Sequence, residues 1–170
     1  MQIRKEKSEY ADMINCPFCL KGAAESYLES VHCRVIYNIS PILPGHSLVI
    51  PKRHCESLFE LSSAEITDLF LLATEATGYL LKLFNTKAFN MAIQEGTAAG
   101  QSQAHVHLHL VPRTPDDLPD PGAWYAELNR DPDALDTFSR KRLSGEQLAE
   151  VTSRLKHRIQ LLKSGQSGKA

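Results

Sequence analysis

The sequence has 170 residues, 42% of them apolar and 23% charged, the balance of a soluble globular chain long enough to bury its own core. A formal net charge of -1 offers no long-range attraction to a nucleic acid polymer or an anionic membrane surface, so an anionic partner must be small and held by a local cluster of donors. The first twenty residues lack the continuous apolar core of a secretory leader, and no later run is long enough to span a bilayer. The expectation is a cytoplasmic chain whose four cysteines stay reduced.

In chain order, residues 1–12 are charged and read as a flexible tail. Cys16 and Cys19 follow with two residues between them, a spacing that suits a metal site, a redox pair or simply two small core residues. Residues 34–39 and 47–50 read as strand-like runs, joined by a turn rich in proline and glycine over 41–45. Ser62 with Glu65 three residues later forms a capping box, and Ile66, Leu69, Phe70, Ala73, Ala76, Leu80 and Leu83 then recur at helical spacing to about Phe84. Two more strands fall at 89–93 and 104–111. Residues 113–143 make a long excursion rich in proline and aspartate, read as a substrate lid, a dimer arm or a surface loop, with a short helix over 123–128 carrying Trp124 and Tyr125. Ser144 and Gln147 open a last helix to 162, with Leu148, Val151, Leu155, Ile159 and Leu162 on one stripe, before a second tail at 163–170. There is no internal repeat. One α+β domain over residues 13–162, with antiparallel strands joined by short turns, accounts for these elements.

Within the strand at 104–111, a period of two sends His105, His107 and His109 to one face and Val106, Leu108 and Leu110 to the other. Burial of the apolar face needs no histidines opposite it. Two chemistries use such a row. A catalytic metal could be shared by neighbouring rings, although the outer pair stands about 13–14 Å apart at Cα, which strains a three-ligand site at metal–nitrogen distances of about 2 Å. Alternatively, one neutral imidazole attacks phosphorus, forms a labile P–N bond and divides one hard displacement into two easier ones. Directly upstream, Gln94 and Gly96, then Gly100, Gln101, Ser102 and Gln103, supply backbone amides and neutral side-chain donors, the local chemistry of a phosphate cradle. The geometry favours the nucleophile.

The run from Gly100 to Arg113, with its three alternate histidines followed by apolar residues, resembles the signature of the histidine triad (HIT) family. The likeness extends upstream through Pro44, Gly45 and His46 and through Leu48 to Lys52, so that it covers roughly residues 16–113. Gly100, Gln101 and Ser102 and the long segment after Arg113 look most like the dinucleoside-polyphosphate hydrolase (fragile histidine triad) branch. The resemblance implies a HIT-type domain with a five-stranded antiparallel sheet and two main helices, paired into a homodimer. It further implies that His107 attacks the α-phosphate of a nucleotide and carries the nucleotidyl group, that His109 contacts phosphate, and that His105 buttresses the site. By the same likeness Gln101 and Ser102 bind phosphate or leaving-group oxygens, Asn38 and Gln94 line the nucleoside pocket, and His46 orients the triad from behind. A divalent cation accompanying the substrate is compatible with these roles.

Several HIT proteins, and the related galactose-1-phosphate uridylyltransferases, resemble this chain in pairing an N-terminal Cys-x-x-Cys with a later histidine and with the first histidine of the triad. The likeness implies a structural zinc ion on Cys16, Cys19, His54 and His105, a closed tetrahedral donor set. Other functions share the same residues: a nucleoside phosphoramidase using the same intermediate, a non-catalytic nucleotide-binding regulator, and a metal-dependent hydrolase working from the histidine face.

Overall fold

A computed structural model describes residues 16–20, 25–128 and 142–165. The expected tails fall outside these residues in their larger parts, 1–12 wholly and 166–170 of the second, as does 129–141 of the long excursion.

Five strands form one antiparallel sheet: β1 (Ser26–Glu29), β2 (Cys33–Tyr37), β3 (Ser47–Pro51), β4 (Ala88–Ile93) and β5 (Leu108–Arg113), in the spatial order β1-β2-β3-β5-β4. Helix α1 (Ser63–Leu83) connects β3 to β4, α2 (Trp124–Leu128) follows β5, and α3 (Gly145–Lys163) closes the described chain. Both long helices open on the capping boxes expected from sequence, Ser62 with Glu65 and Ser144 with Gln147.

The register explains how the histidines come to be displayed. Leu48 pairs with His109 and Val49 with Leu108 across β3 and β5, so each pair shares a face. Val49, Val106, Leu108 and Leu110 face the helices and pack with Leu69, Leu72, Ala73, Ala76 and Leu80 of α1 and Leu155 and Ile159 of α3. A second, smaller apolar cluster of Ile36, Leu48 and Ile50, with Phe18 against it, lies apart from that core. Because β5 sits between β3 and β4, His109 is held from both sides rather than at an edge.

Three details depart from the sequence reading. β1 carries no run or turn signal strong enough to mark it, and its pairing with β2 slips between Ser26 and Leu28. β5 begins at Leu108 instead of 104, because His105 N–H donates to Gln103 O and Val106 N–H to Cys55 O, leaving the ladder until residue 108. On α1, Ile66 and Phe70 are exposed while Leu72 and Thr77 are buried: the apolar arc identifies a helix, but packing against a sheet selects the rotation that buries 69, 72, 73, 76, 77 and 80.

The turn between β2 and β3 is fixed by Gly45, whose φ is +88°. A Cβ there would lie 2.6 Å from both the Phe84 ring and the Pro112 ring, and left-handed backbone is itself costly for other residues. The segment after β5 is held by Arg113, which donates to Asp117 carboxylate oxygens at 2.7–3.2 Å, to Asn90 Oδ1 at 2.7 Å and to Pro121 O at 3.0 Å. Gly45→Ala is expected to cost about 2 kcal/mol or more, read as a lowered denaturant midpoint with unchanged slope; a midpoint equal to wild type would mean that the turn relaxes freely.

Candidate functional site

All three histidines of the row are buried, at 0% exposure for His105, 2% for His107 and 1% for His109. Each ring is held by a different partner, and the partners decide which nitrogen carries the proton. His107 Nδ1 lies 2.8 Å from the backbone oxygen of His105. A carbonyl can only accept, so Nδ1 carries the hydrogen and Nε2 is left with its lone pair. The reverse tautomer would set a lone pair against that oxygen, at a cost of about 1–3 kcal/mol, which makes it a minor species. Burial holds the His107 pKa below its ordinary value, opposed by this hydrogen bond, so the ring stays neutral. A neutral imidazole with its Nε2 lone pair available is a nucleophile.

His109 is anchored from behind. Its Nδ1 lies 2.9 Å from His46 Nε2, and His46 is itself fully buried. Asn38, whose side-chain oxygen accepts from Ser40 N–H at 2.9 Å, lies beside the same His46 nitrogen at 3.2 Å. The rings of His107 and His109 meet edge to face with centroids 5.0 Å apart. Residues that the sequence placed in separate roles are therefore one contiguous group: His46, Asn38, His107 and His109.

The glycine-flanked loop is shaped differently from a set of donors all turned toward a phosphate. Gly96 and Gly100 both have positive φ, +82° and +88°, which lets 97–99 make a single tight turn. The Gln101 side chain closes that turn: its Oε1 accepts from Gly96 N–H at 2.6 Å and its Nε2 donates to Glu56 O at 2.8 Å. Its amide is thus committed to backbone in this structure, while Ser102 and Gln103 remain half-buried beside it and Gln94 is buried at the end of β4.

His105 faces another cluster. Its Nε2–H donates to Pro51 O at 3.1 Å, which leaves Nδ1 bare and aimed at two sulfurs, Cys16 Sγ at 3.4 Å and Cys19 Sγ at 3.5 Å. His54 Nδ1 lies 3.4 Å from Cys19 Sγ, and one donor atom from each of the four residues falls within 4.8 Å of all the others. A tetrahedral ion with metal–sulfur bonds of about 2.3 Å and metal–nitrogen bonds of about 2.0–2.1 Å holds sulfur and nitrogen about 3.6 Å apart. The observed separations fit that arrangement. So does the outer contact of His105, whose far nitrogen is on a carbonyl. Burial, with Cys16 adding to it, raises the Cys19 thiol pKa, and burial pushes His105 down to about 4. A bound cation is what would hold Cys19 as thiolate in such surroundings. All four cysteines are free thiols.

Sequence reasoning missed four contributors. Phe18 stands edge-on to both His105 and His107, with centroids at 5.6 and 5.7 Å. Its position between the two cysteines was the only available signal. The carbonyls of Pro51 and His105 and the backbone N–H of Ile42, which reaches His46 Nδ1 at 3.1 Å, are main-chain groups that no side-chain motif announces.

An antiparallel five-stranded sheet that displays three separately anchored imidazoles beside a Cys2His2 cluster defines a histidine-triad type of protein. Comparison agrees: residues 23–116 match the HIT domain, and the chain belongs to that family. Over 93 residues it is 42% identical to the asymmetrical bis(5'-nucleosyl)-tetraphosphatase of Schizosaccharomyces pombe, a match covering 55% of this chain and 51% of that relative. The chain thus spans about half the length of this curated relative. Among solved structures, the diadenosine triphosphate hydrolase of Plasmodium falciparum superposes with a TM-score of 0.64 at 29% identity, covering 80% of this chain and 76% of that one. A Zn-bound histidine triad family protein from Mycobacterium smegmatis superposes with a TM-score of 0.64 at 26% identity, covering 90% of this chain and 99% of that one.

Metal titration is expected to saturate at one tightly held ion per chain, and Cys16→Ser is expected to lose that ion and to melt at a lower temperature. Undiminished uptake by the variant would place the metal elsewhere.

Proposed function

We propose that this chain is a nucleotidyl hydrolase or transferase that cleaves nucleotides of the dinucleoside polyphosphate kind at the α-phosphate and releases a nucleoside monophosphate. The observation that carries the proposal is the Nδ1–H of His107 held on the His105 carbonyl at 2.8 Å, which leaves a neutral ring with its lone pair at Nε2. The relatives named above as dinucleoside polyphosphate hydrolases support the substrate class.

In the proposed reaction, His107 Nε2 attacks the α-phosphorus, a P–N bond forms, and the P–O bond to the rest of the substrate breaks with its electron pair leaving on oxygen. Water then attacks the same phosphorus and gives up its proton to solvent, the P–N bond breaks, and the ring regains its lone pair. His109, one ring away, would meet the phosphate oxygens, and Ser102, Gln103 and the Gly100 amide would add neutral donors. Asn38 and Gln94, both buried, would line the nucleoside end. Gln101 would act by shaping the loop through its backbone bonds.

Zinc suits the Cys16, Cys19, His54 and His105 donors, and its proposed part is to tie the segment around Cys16 to the strand and fix His105. His105 in turn presents the carbonyl that orients His107, so the ion would support the chemistry without touching the substrate. A homodimer is also proposed, supported by the position of β4 at the sheet edge and the exposure of Phe89 upon it. A cytoplasmic location is consistent with the four free thiols. No helix among the described residues is long and apolar enough to cross a membrane.

His107→Ala is expected to lower monophosphate release from diadenosine tetraphosphate by at least about a thousandfold while leaving the circular dichroism spectrum and metal content unchanged. Turnover close to wild type would rule out the nucleophile. Ranking wild-type rates on that substrate against an adenylated lysine amide separates the proposed hydrolase from a phosphoramidase, the former being expected to prefer the polyphosphate.

A further inference from the structure

The deeper question at this site is what makes His109 different from His107, since two neighbouring buried imidazoles could each attack phosphorus. The answer lies in a main-chain group two shells away. Ile42 N–H donates to His46 Nδ1 at 3.1 Å. A backbone amide has no alternative protonation state, so it claims the Nδ1 lone pair and forces the His46 hydrogen onto Nε2. That hydrogen points along the 2.9 Å line to His109 Nδ1. His109 must then accept at Nδ1 and carry its own hydrogen on Nε2.

One contact opposes this assignment. The side-chain nitrogen of Asn38 also lies 3.2 Å from His46 Nε2, and its oxygen is taken by Ser40 N–H, so the amide cannot be turned round without setting two donors face to face. If His46 Nε2 were instead the acceptor, Asn38 and His109 would both have to donate to it, yet an imidazole nitrogen has a single in-plane lone pair. His46 Nδ1–H would also collide with Ile42 N–H. The first arrangement keeps two sound hydrogen bonds and the second keeps one.

The amide is not free to turn away. His46 N–H donates to Leu43 O at 3.1 Å and Asn38 N–H to His46 O at 3.0 Å. Gly45 N–H donates to the Tyr37 hydroxyl at 3.2 Å, and Ser47 Oγ–H to Gly45 O at 2.8 Å. Pro41 and Pro44 bracket the loop and fix two φ angles, and Gly45 is wedged against Phe84 and Pro112.

We infer that the backbone N–H of Ile42 is a positioning group for the reaction: acting through His46, it fixes His109 as an Nε2–H donor and thereby leaves His107 as the ring able to attack. The inference rests on the function proposed above for its consequence, but its physical content is a tautomer that exists without substrate. The relay runs from a backbone amide through two imidazoles.

The test is an imidazole ¹⁵N–¹H correlation spectrum of the uniformly labelled, metal-loaded protein in the absence of nucleotide. Expected are His46 and His109 each with a bare Nδ1 and a protonated Nε2. A spectrum with His46 protonated at Nδ1, or with His109 protonated at Nδ1, overturns the inference. Two variants then read the consequence. His46→Gln keeps an N–H for His109 Nδ1 and is expected to keep His109 in its Nε2–H form, with the rate of nucleotide cleavage within about tenfold of wild type. His46→Ala removes that hydrogen and is expected to give mixed His109 tautomers and a loss of about a hundredfold or more, the scale of one lost transition-state donor. Equal losses in the two variants, with both folded, would also overturn it. Should the tautomers be as expected while wild type leaves every nucleotide intact, the positioning stands and the proposed activity falls.

Discussion

The site depends on one hydrogen bond, the 2.8 Å contact from His107 Nδ1–H to the backbone oxygen of His105. It is a local bond, spanning two residues, and it needs a His105 carbonyl that is not committed to the ladder. That condition is met because β5 begins only at Leu108. A fully paired strand from 104 onward would have committed the His105 carbonyl to a neighbouring strand. The departure from regular pairing is thus what frees an acceptor for the imidazole.

That carbonyl has to be held still, and the rest of the structure supplies the restraint from two directions. On the apolar side, Val106, Leu108 and Leu110 are pinned in the core beneath α1 and α3, and Val106 N–H is tied to Cys55 O. On the other side, His105 itself is gripped at both nitrogens, by Pro51 O and by the two sulfurs. The metal-type cluster and the proposed nucleophile are therefore adjacent links of one backbone. His105 belongs to the four-residue cluster and is also the residue whose carbonyl selects the His107 tautomer. At the opposite end, the proline- and glycine-bracketed turn performs the same service for His109 through His46.

Much of this was legible in the sequence, because side-chain periodicity and capping chemistry are local. The two capping boxes marked both long helices, the alternation of His105, His107 and His109 against Val106, Leu108 and Leu110 identified the face, and likeness to a known family brought Cys16, Cys19, His54 and His105 together on the correct cluster. What was not legible has a common cause. Ile66 and Phe70 proved exposed because amphipathicity does not reveal which flank of an apolar arc meets the sheet. The backbone partners of Gln101, Gly96 N–H and Glu56 O, could not be read from the sequence, because a side chain's chemistry says nothing of which backbone groups it meets. β1 was missed because its edge position lets a weakly patterned run serve. The main-chain groups of Ile42, Pro51 and His105 have no signature of their own, although they set the donor and acceptor nitrogens of His46, His105 and His107.

The most direct measurement of the central claim is the stereochemical course of the reaction at phosphorus. With a substrate made chiral at the α-phosphorus by sulfur and cleaved in isotopically labelled water, two successive displacements, one by His107 and one by water, give the monophosphorothioate with net retention. Inversion would mean that water attacks the substrate directly, and would contradict the account.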